Sequence, residues 1–138
     1  MVIGLKQIVS IVDDDIDITR LFHDVLCENI SDASVLAFND PISALEHFTE
    51  NSEGYALVIS DLRMPGLNGL ELLKKVKDSN PRVRTILMSA YNFDEDTTYQ
   101  QYMKDGVIDT TIEKPVTIHR LRQRVREELE NYQTKIKK

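Results

Sequence analysis

The chain has 138 residues, 41% of them hydrophobic and 29% charged, which fits one ordinary globular domain and is too little for two. No apolar run approaches the about 20 residues that cross a bilayer, and residues 1–15 lack the basic stretch, long apolar core and cleavage site of a secretory signal, so a membrane span is excluded and a cytoplasmic location is expected. A formal charge of −6 argues against direct nucleic-acid binding.

Strand and helix patterns alternate along the chain. Residues 7–12 (QIVSIV) are a β-branched apolar run that ends in Asp13-Asp14-Asp15, short acids suited to a strand end and a helix start. Ile18, Leu21, Phe22, Val25 and Leu26 then recur at helical spacing. A second strand, 34–38, leads to Asp40-Pro41, an N-cap acid followed by the residue best tolerated in a first turn. Leu45 and Phe48 mark the core side of the helix it starts. Residues 56–60 are almost wholly apolar, as in a strand covered on both faces, and end at Asp61. Turn residues 64–69 (MPGLNG) precede a third helix marked by Leu70, Leu73 and Val76, which stops near Asn80-Pro81. A fourth strand is predicted over 83–89, a weakly periodic helix over 94–104 and a poorer fifth strand over 107–112.

After Lys114-Pro115, a stripe of Ile118, Leu121, Val125, Leu129, Tyr132 and Ile136 predicts a long final helix from about 117 to 136. This end of the chain is locally basic: residues 116–138 hold 7 Lys/Arg against 3 Asp/Glu, while residues 1–115 hold 10 against 20. Arg120, Arg122, Arg124 and Arg126 spread around the helix and read as a solvated face. Cys27 is alone, so no internal disulfide forms, and His23, His47 and His119 are too scattered for a zinc site.

Five strand–helix units predict an α/β fold, a doubly wound five-stranded parallel sheet with helices on both faces. Ligands of such sheets gather at the carboxyl ends of the strands, where the strand order reverses. Asp13 and Asp14 follow strand one, Asp61 ends strand three, Ser89 ends strand four and Lys114 follows strand five. Three converging carboxylates stay ionised cheaply only around a cation, and oxygen ligands favour Mg²⁺. A lysine beside a metal suits a phosphoryl group, to which the Ser89 hydroxyl could donate, and an aspartate there can be the phosphoryl acceptor.

Four motifs together resemble the receiver (CheY-like) domain of two-component response regulators, a flavodoxin-like fold. They are Ile11-Val12-Asp13-Asp14-Asp15, Ile59-Ser60-Asp61-Leu62-Arg63-Met64-Pro65-Gly66-Leu67-Asn68-Gly69, Leu87-Met88-Ser89-Ala90 and Glu113-Lys114-Pro115. The resemblance covers residues 6–129, in the family's order and spacing. It implies that Asp61 takes a phosphoryl group from a phosphohistidine of a sensor kinase or phosphotransfer protein. It also implies that Asp14, Asp61 and the Arg63 backbone carbonyl hold Mg²⁺, with Asp13 acting through water. Lys114 would pair with the acceptor, Ser89 would move to meet the phosphoryl oxygen, and the Lys114–Pro115 peptide would be cis.

Two departures from the family stand out. Its usual aromatic switch, three residues before the lysine, is Thr111 here, and residues 106–114 are one residue longer than usual. The final helix also continues beyond Leu129 with no output domain after it, so a stand-alone receiver is expected. That extension leaves Tyr132 and Ile136 without an obvious partner, which points to a homodimer or downstream-protein contact through helix four, strand five and the final helix. Arg63 and Tyr91, two residues after the acceptor and after Ser89, would flank the attacking water and predict slow loss of phosphate.

Blander readings stand beside these. Asp13 to Asp15 taken alone read as helix caps, and Asp15 is more a cap than a ligand. A receiver-like interaction module that is never phosphorylated is one alternative. A haloacid-dehalogenase-type phosphatase is another, since Asp13-x-Asp15 formally fits its motif, although Asp61 has no role in that scheme.

Overall fold

The computed structural model describes residues 7–90 and 97–136. Its elements run β1 (Gln7–Val12), α1 (Ile16–Asn29), β2 (Ala33–Phe38), α2 (Pro41–Asn51), β3 (Tyr55–Asp61), α3 (Gly69–Ser79), β4 (Arg84–Ser89), α4 (Thr97–Lys104), β5 (Thr110–Glu113) and α5 (Ile118–Ile136). One all-parallel sheet has the order β2-β1-β3-β4-β5. The order reverses between β1 and β3, so Val12 pairs with Ser60 immediately before Asp13 and Asp61.

Alternation along the strands divides the core into two layers. Ile11, Ile59, Ile86 and Ile112 meet Phe22 and Leu26 of α1 and Leu121 and Val125 of α5. Val12, Val58 and Leu87 meet Phe48 of α2 and Leu72, Leu73 and Val76 of α3, with Tyr99 and Tyr102 of α4 leaning on the edge. Every residue of β3 is buried, as its apolar sequence required.

The helix starts are set by polar residues. Asp15 caps α1 by accepting from the amides of Asp17 and Ile18, and Asp40 does the same for α2 through Ile42 and Ser43. Asn68 and Glu71 form a reciprocal capping box on α3. Gly69 is required by close packing, because a Cβ there would strike the Asp61 carbonyl and come within 2.9 Å of Leu87 Cδ1.

The structure corrects three sequence expectations. The fifth strand begins at Thr110, because Val107 and Ile108 are spent on packing in the α2–α3–α4 layer before pairing starts. Leu21 is exposed, since the buried stripe of α1 runs through Thr19, Phe22, Val25 and Leu26 instead. Tyr132 is buried within the chain, which removes its part in the argument for a homodimer, while the side chain of Ile136 lies outside the described residues. The helix expected over 94–104 is described over Thr97–Lys104, and its expected start, like Tyr91, falls in residues 91–96, which lie outside the described residues.

At the amino-terminal ends of β4 and β5 a charged network is sealed into the fold. Arg84 donates from Nε to Glu128 Oε1 at 2.7 Å and places a second nitrogen 3.5 Å from Asp109. Asp109 also pairs with Lys77 of α3 at 2.7 Å and accepts from the Thr85 amide, while Thr110 donates to Glu128 at 2.7 Å. The network fastens α3, β4, β5 and α5 around the sheet end remote from Asp61. Its partners compensate one another, so removing one is costly. Glu128→Ala is expected to lose about 3 kcal/mol of stability in urea denaturation; a loss below about 1 kcal/mol would show that Asp109 alone satisfies Arg84.

Candidate functional site

The side chains that follow β1, β3 and β5 meet at the point where the strand order reverses. Asp13 is held there from several sides. Its amide donates to the Phe38 carbonyl at 3.1 Å, and its Oδ1 accepts from the Asp15 amide at 3.0 Å. The second carboxylate oxygen, Oδ2, is buried with no hydrogen-bond partner and lies 3.9 Å from Lys114 Nζ. Asp61 at the end of β3 is buried, and its Oδ1 lies 2.6 Å from Lys114 Nζ. Asp14 is exposed, yet one carboxylate oxygen each from Asp13, Asp14 and Asp61 fall within 4.8 Å of one another.

Lys114 reaches this cluster because its amide donates to the Ser89 carbonyl at 3.0 Å, continuing the β4–β5 pairing past the end of β5. The Lys114–Pro115 peptide is cis, as the motif predicted. Ser89 is buried at the end of β4 and lies opposite Glu113 in the ladder. Arg63 is exposed, two residues past Asp61 in the β3–α3 loop. Thr111 sits half-buried in β5 opposite Leu87.

Burial pushes the Asp13 carboxyl up to about 6. The Asp15 amide and Lys114 oppose that rise, while Asp61 and Asp14 add to it by repulsion. With all three acids ionised and Lys114 beside them, the cluster holds an excess of two negative charges. That charge, an all-oxygen donor set and the orphaned Asp13 Oδ2 fit a hard divalent cation such as Mg²⁺. Asp15 does not join the cluster; it is used as the α1 cap, which leaves the phosphatase-type Asp13-x-Asp15 pairing without its second carboxylate.

The sequence alone marks Gly69 only as a turn residue and does not reveal Asn39. Gly69 lets α3 pack on the Asp61 carbonyl. Asn39, in the β2–α2 loop, donates from Nδ2 to the Asp13 carbonyl at 2.9 Å and to Thr19 Oγ1 at 2.8 Å. Its only sequence signal was an amide side chain just before an aspartate that already caps α2.

A five-stranded α/β sheet with this order and this acidic rim is the architecture of a receiver domain. The chain belongs to the response regulator receiver domain family, whose model matches residues 9–126; this is a signalling domain and not a classical enzyme. It is 31% identical over 118 residues to the transcriptional regulatory protein ZraR of Klebsiella oxytoca, a match covering 86% of this chain and 25% of the relative. It is 30% identical over 128 residues to the DNA-binding transcriptional regulator NtrC of Escherichia coli, covering 93% of this chain and 26% of the relative. The chain thus spans about a quarter of the length of these relatives. A receiver domain protein of Clostridium thermocellum has the same fold, with a TM-score of 0.81 at 23% identity over 93% of this chain and 98% of that one. The receiver domain of NtrX from Brucella abortus gives a TM-score of 0.74 at 27% identity, covering 88% and 98%. Among the described residues no helix is long and apolar enough to cross a membrane.

The raised Asp13 carboxyl has a consequence for stability. The fold prefers the protonated acid, so its contribution is fully present below the unfolded value of 3.8 and is lost as pH rises through about 6. A shift of that size corresponds to about 3 kcal/mol. Asp13→Asn keeps the acceptor for the Asp15 amide and removes the charge. In urea denaturation with EDTA at pH 8 this variant is expected to be more stable than the wild type by up to about 3 kcal/mol, with the gap closing toward pH 4; equal stability at pH 8 would contradict the electrostatic account.

Proposed function

We propose that Asp61 accepts a phosphoryl group from a phosphohistidine of a sensor kinase or phosphotransfer protein, and that the aspartyl phosphate switches binding to a downstream protein. The observation that carries this reading is Lys114 Nζ, 2.6 Å from Asp61 Oδ1, inside the cluster formed with Asp13 and Asp14. A lone structural ion pair would not need two further carboxylates beside it.

In the transfer, the P–N bond of the phosphohistidine breaks as a carboxylate oxygen of Asp61 forms a P–O bond, and the imidazole leaves with the bonding pair and takes up a proton. Asp14, Asp61 and the Arg63 backbone carbonyl would hold Mg²⁺, with Asp13 acting through water. Bound there, the ion supplies charge neutralisation for the incoming phosphoryl oxygens and lets the acids remain ionised. Lys114 supplies a positive charge directly beside the acceptor, and the Ser89 hydroxyl would donate to a phosphoryl oxygen. Ser89 and Lys114 are already joined through their backbones, so a shift of one is felt by the other.

Because the chain covers only part of its relatives, the downstream partner is proposed as a class alone, a protein surface that reads the region beside Ser89. Membership in the receiver family supports phosphotransfer over a module that is never phosphorylated, since the acidic, hydroxyl and lysine positions are all retained at the site.

Intact mass after incubation with Mg²⁺ and acetyl phosphate tests the chemistry. The wild type is expected to gain one phosphate, and Asp61→Ala and Asp14→Ala none, the first for want of an acceptor and the second for want of the cation. Lys114→Ala is expected to accept phosphate yet leave partner binding unchanged by it. A phosphate retained in Asp61→Ala would overturn the assignment of the acceptor.

A further inference from the structure

The Asp13–Asp14 turn carries two of the three clustered carboxylates. Asp13 accepts from the Asp15 amide and Asp61 pairs with Lys114, whereas Asp14 is exposed and, among the described residues, its side chain makes no such bond. What aims Asp14 is therefore the backbone before it. The Asp13 carbonyl lies in the same rigid plane as the Asp14 amide, so whatever fixes that carbonyl fixes the direction in which Asp14 leaves the turn.

That carbonyl accepts from Asn39 Nδ2 at 2.9 Å. The orientation of the Asn39 amide follows from chemistry, because a peptide carbonyl only accepts and must face the NH₂ end. The same NH₂ donates to Thr19 Oγ1 at 2.8 Å, and the buried Thr19 hydroxyl in turn donates a hydrogen bond to the Ile16 carbonyl at 3.1 Å. Asp40 takes over the capping of α2 by accepting from the Ile42 and Ser43 amides. Asn39 is thereby free to point back across the strand ends. Together with the Asp13 amide bound to the Phe38 carbonyl, this staples the acidic turn to the β2–α2 loop and to the first turn of α1.

We propose that Asn39, braced by Thr19, is a positioning residue that holds the Asp13–Asp14 peptide in the orientation needed for divalent-cation binding. The inference rests on the functional reading above and deepens it. Asn39 touches no clustered carboxylate oxygen; it acts through the peptide between the two acids. Supporting groups of this kind typically change metal affinity by about 10-fold to 100-fold when removed.

The test is calorimetric titration of the folded, unphosphorylated protein with Mg²⁺, joined to acetyl phosphate labelling at graded Mg²⁺. Asn39→Ala is expected to weaken Mg²⁺ binding about tenfold and to raise the half-saturating Mg²⁺ for labelling by the same factor, with the plateau rate recovered at high Mg²⁺. Asn39→Asp, equal in size but without the donor, should behave like Asn39→Ala. Thr19→Val should show a smaller loss, while Thr19→Ser, which keeps the hydroxyl, should bind like the wild type. A role confined to general stability would lower the melting temperature without moving the Mg²⁺ midpoint of the folded molecules. Wild-type Mg²⁺ affinity in folded Asn39→Ala and Asn39→Asp would overturn the inference alone. A wild-type chain that binds no Mg²⁺ would instead overturn the functional reading, and this inference with it.

Discussion

Three acids and one lysine are forced together where the sheet reverses its strand order, and the rest of the molecule is arranged around that repulsion. Lys114 Nζ sits 2.6 Å from Asp61 and 3.9 Å from Asp13, so one ammonium partly offsets two buried carboxylates while Asp14 remains uncompensated. Water is largely excluded from Asp13, which is why its proton is held so firmly. A site built this way is least comfortable when metal-free and fully ionised. A divalent cation would balance that excess negative charge.

Such a rim needs support from structure that does not share its strain. The two core layers provide most of it, with β3 buried along its whole length and Gly69 allowing α3 to lie against the Asp61 carbonyl. At the opposite end of the sheet, Arg84, Glu128, Asp109 and Lys77 form the complementary case: two cations and two acids, nearly dry and mutually satisfied. Charges at one end of the sheet are balanced, and those at the other end keep an excess of negative charge. The same ionic physics serves both because only the count of partners differs.

Legibility in the sequence followed the range of the interaction. The strands and their order of use were visible because burial on both faces demands continuous apolar runs such as 55–60, and the acids stood out because they interrupt those runs at their ends. Asp15 could be recognised as a cap by its place before a helix. Contacts between distant segments could not be read in this way. Nothing local distinguishes Arg84 and Glu128 from solvated charges, yet they are 44 positions apart and buried together. Val107 and Ile108 looked like strand because apolar β-branched residues suit either role, and only the packing beneath α4 decided between them. Tyr132 likewise appeared surplus to the core until the third dimension supplied its burial.

The same contrast bears on how a change at Ser89 could leave the site. In β5 the family's aromatic switch is replaced by Thr111, whose small side chain has no ring to swing inward. β5 and α5 are fastened at their far end through Thr110, Glu128 and Arg84, so displacing them as a unit would disturb a buried ionic network. α4 is held differently. None of its described residues is buried, and Tyr99 and Tyr102 are partly buried against the core. With no buried residue among those described, α4 contributes less to the core than β5 or α5 does, and elements with few buried contacts are those of low local stability. On the proposed function, a rearrangement at Ser89 is expected to reach the α4 side of the β4–β5 edge more readily than α5, which the Arg84–Glu128 pair fastens to β4.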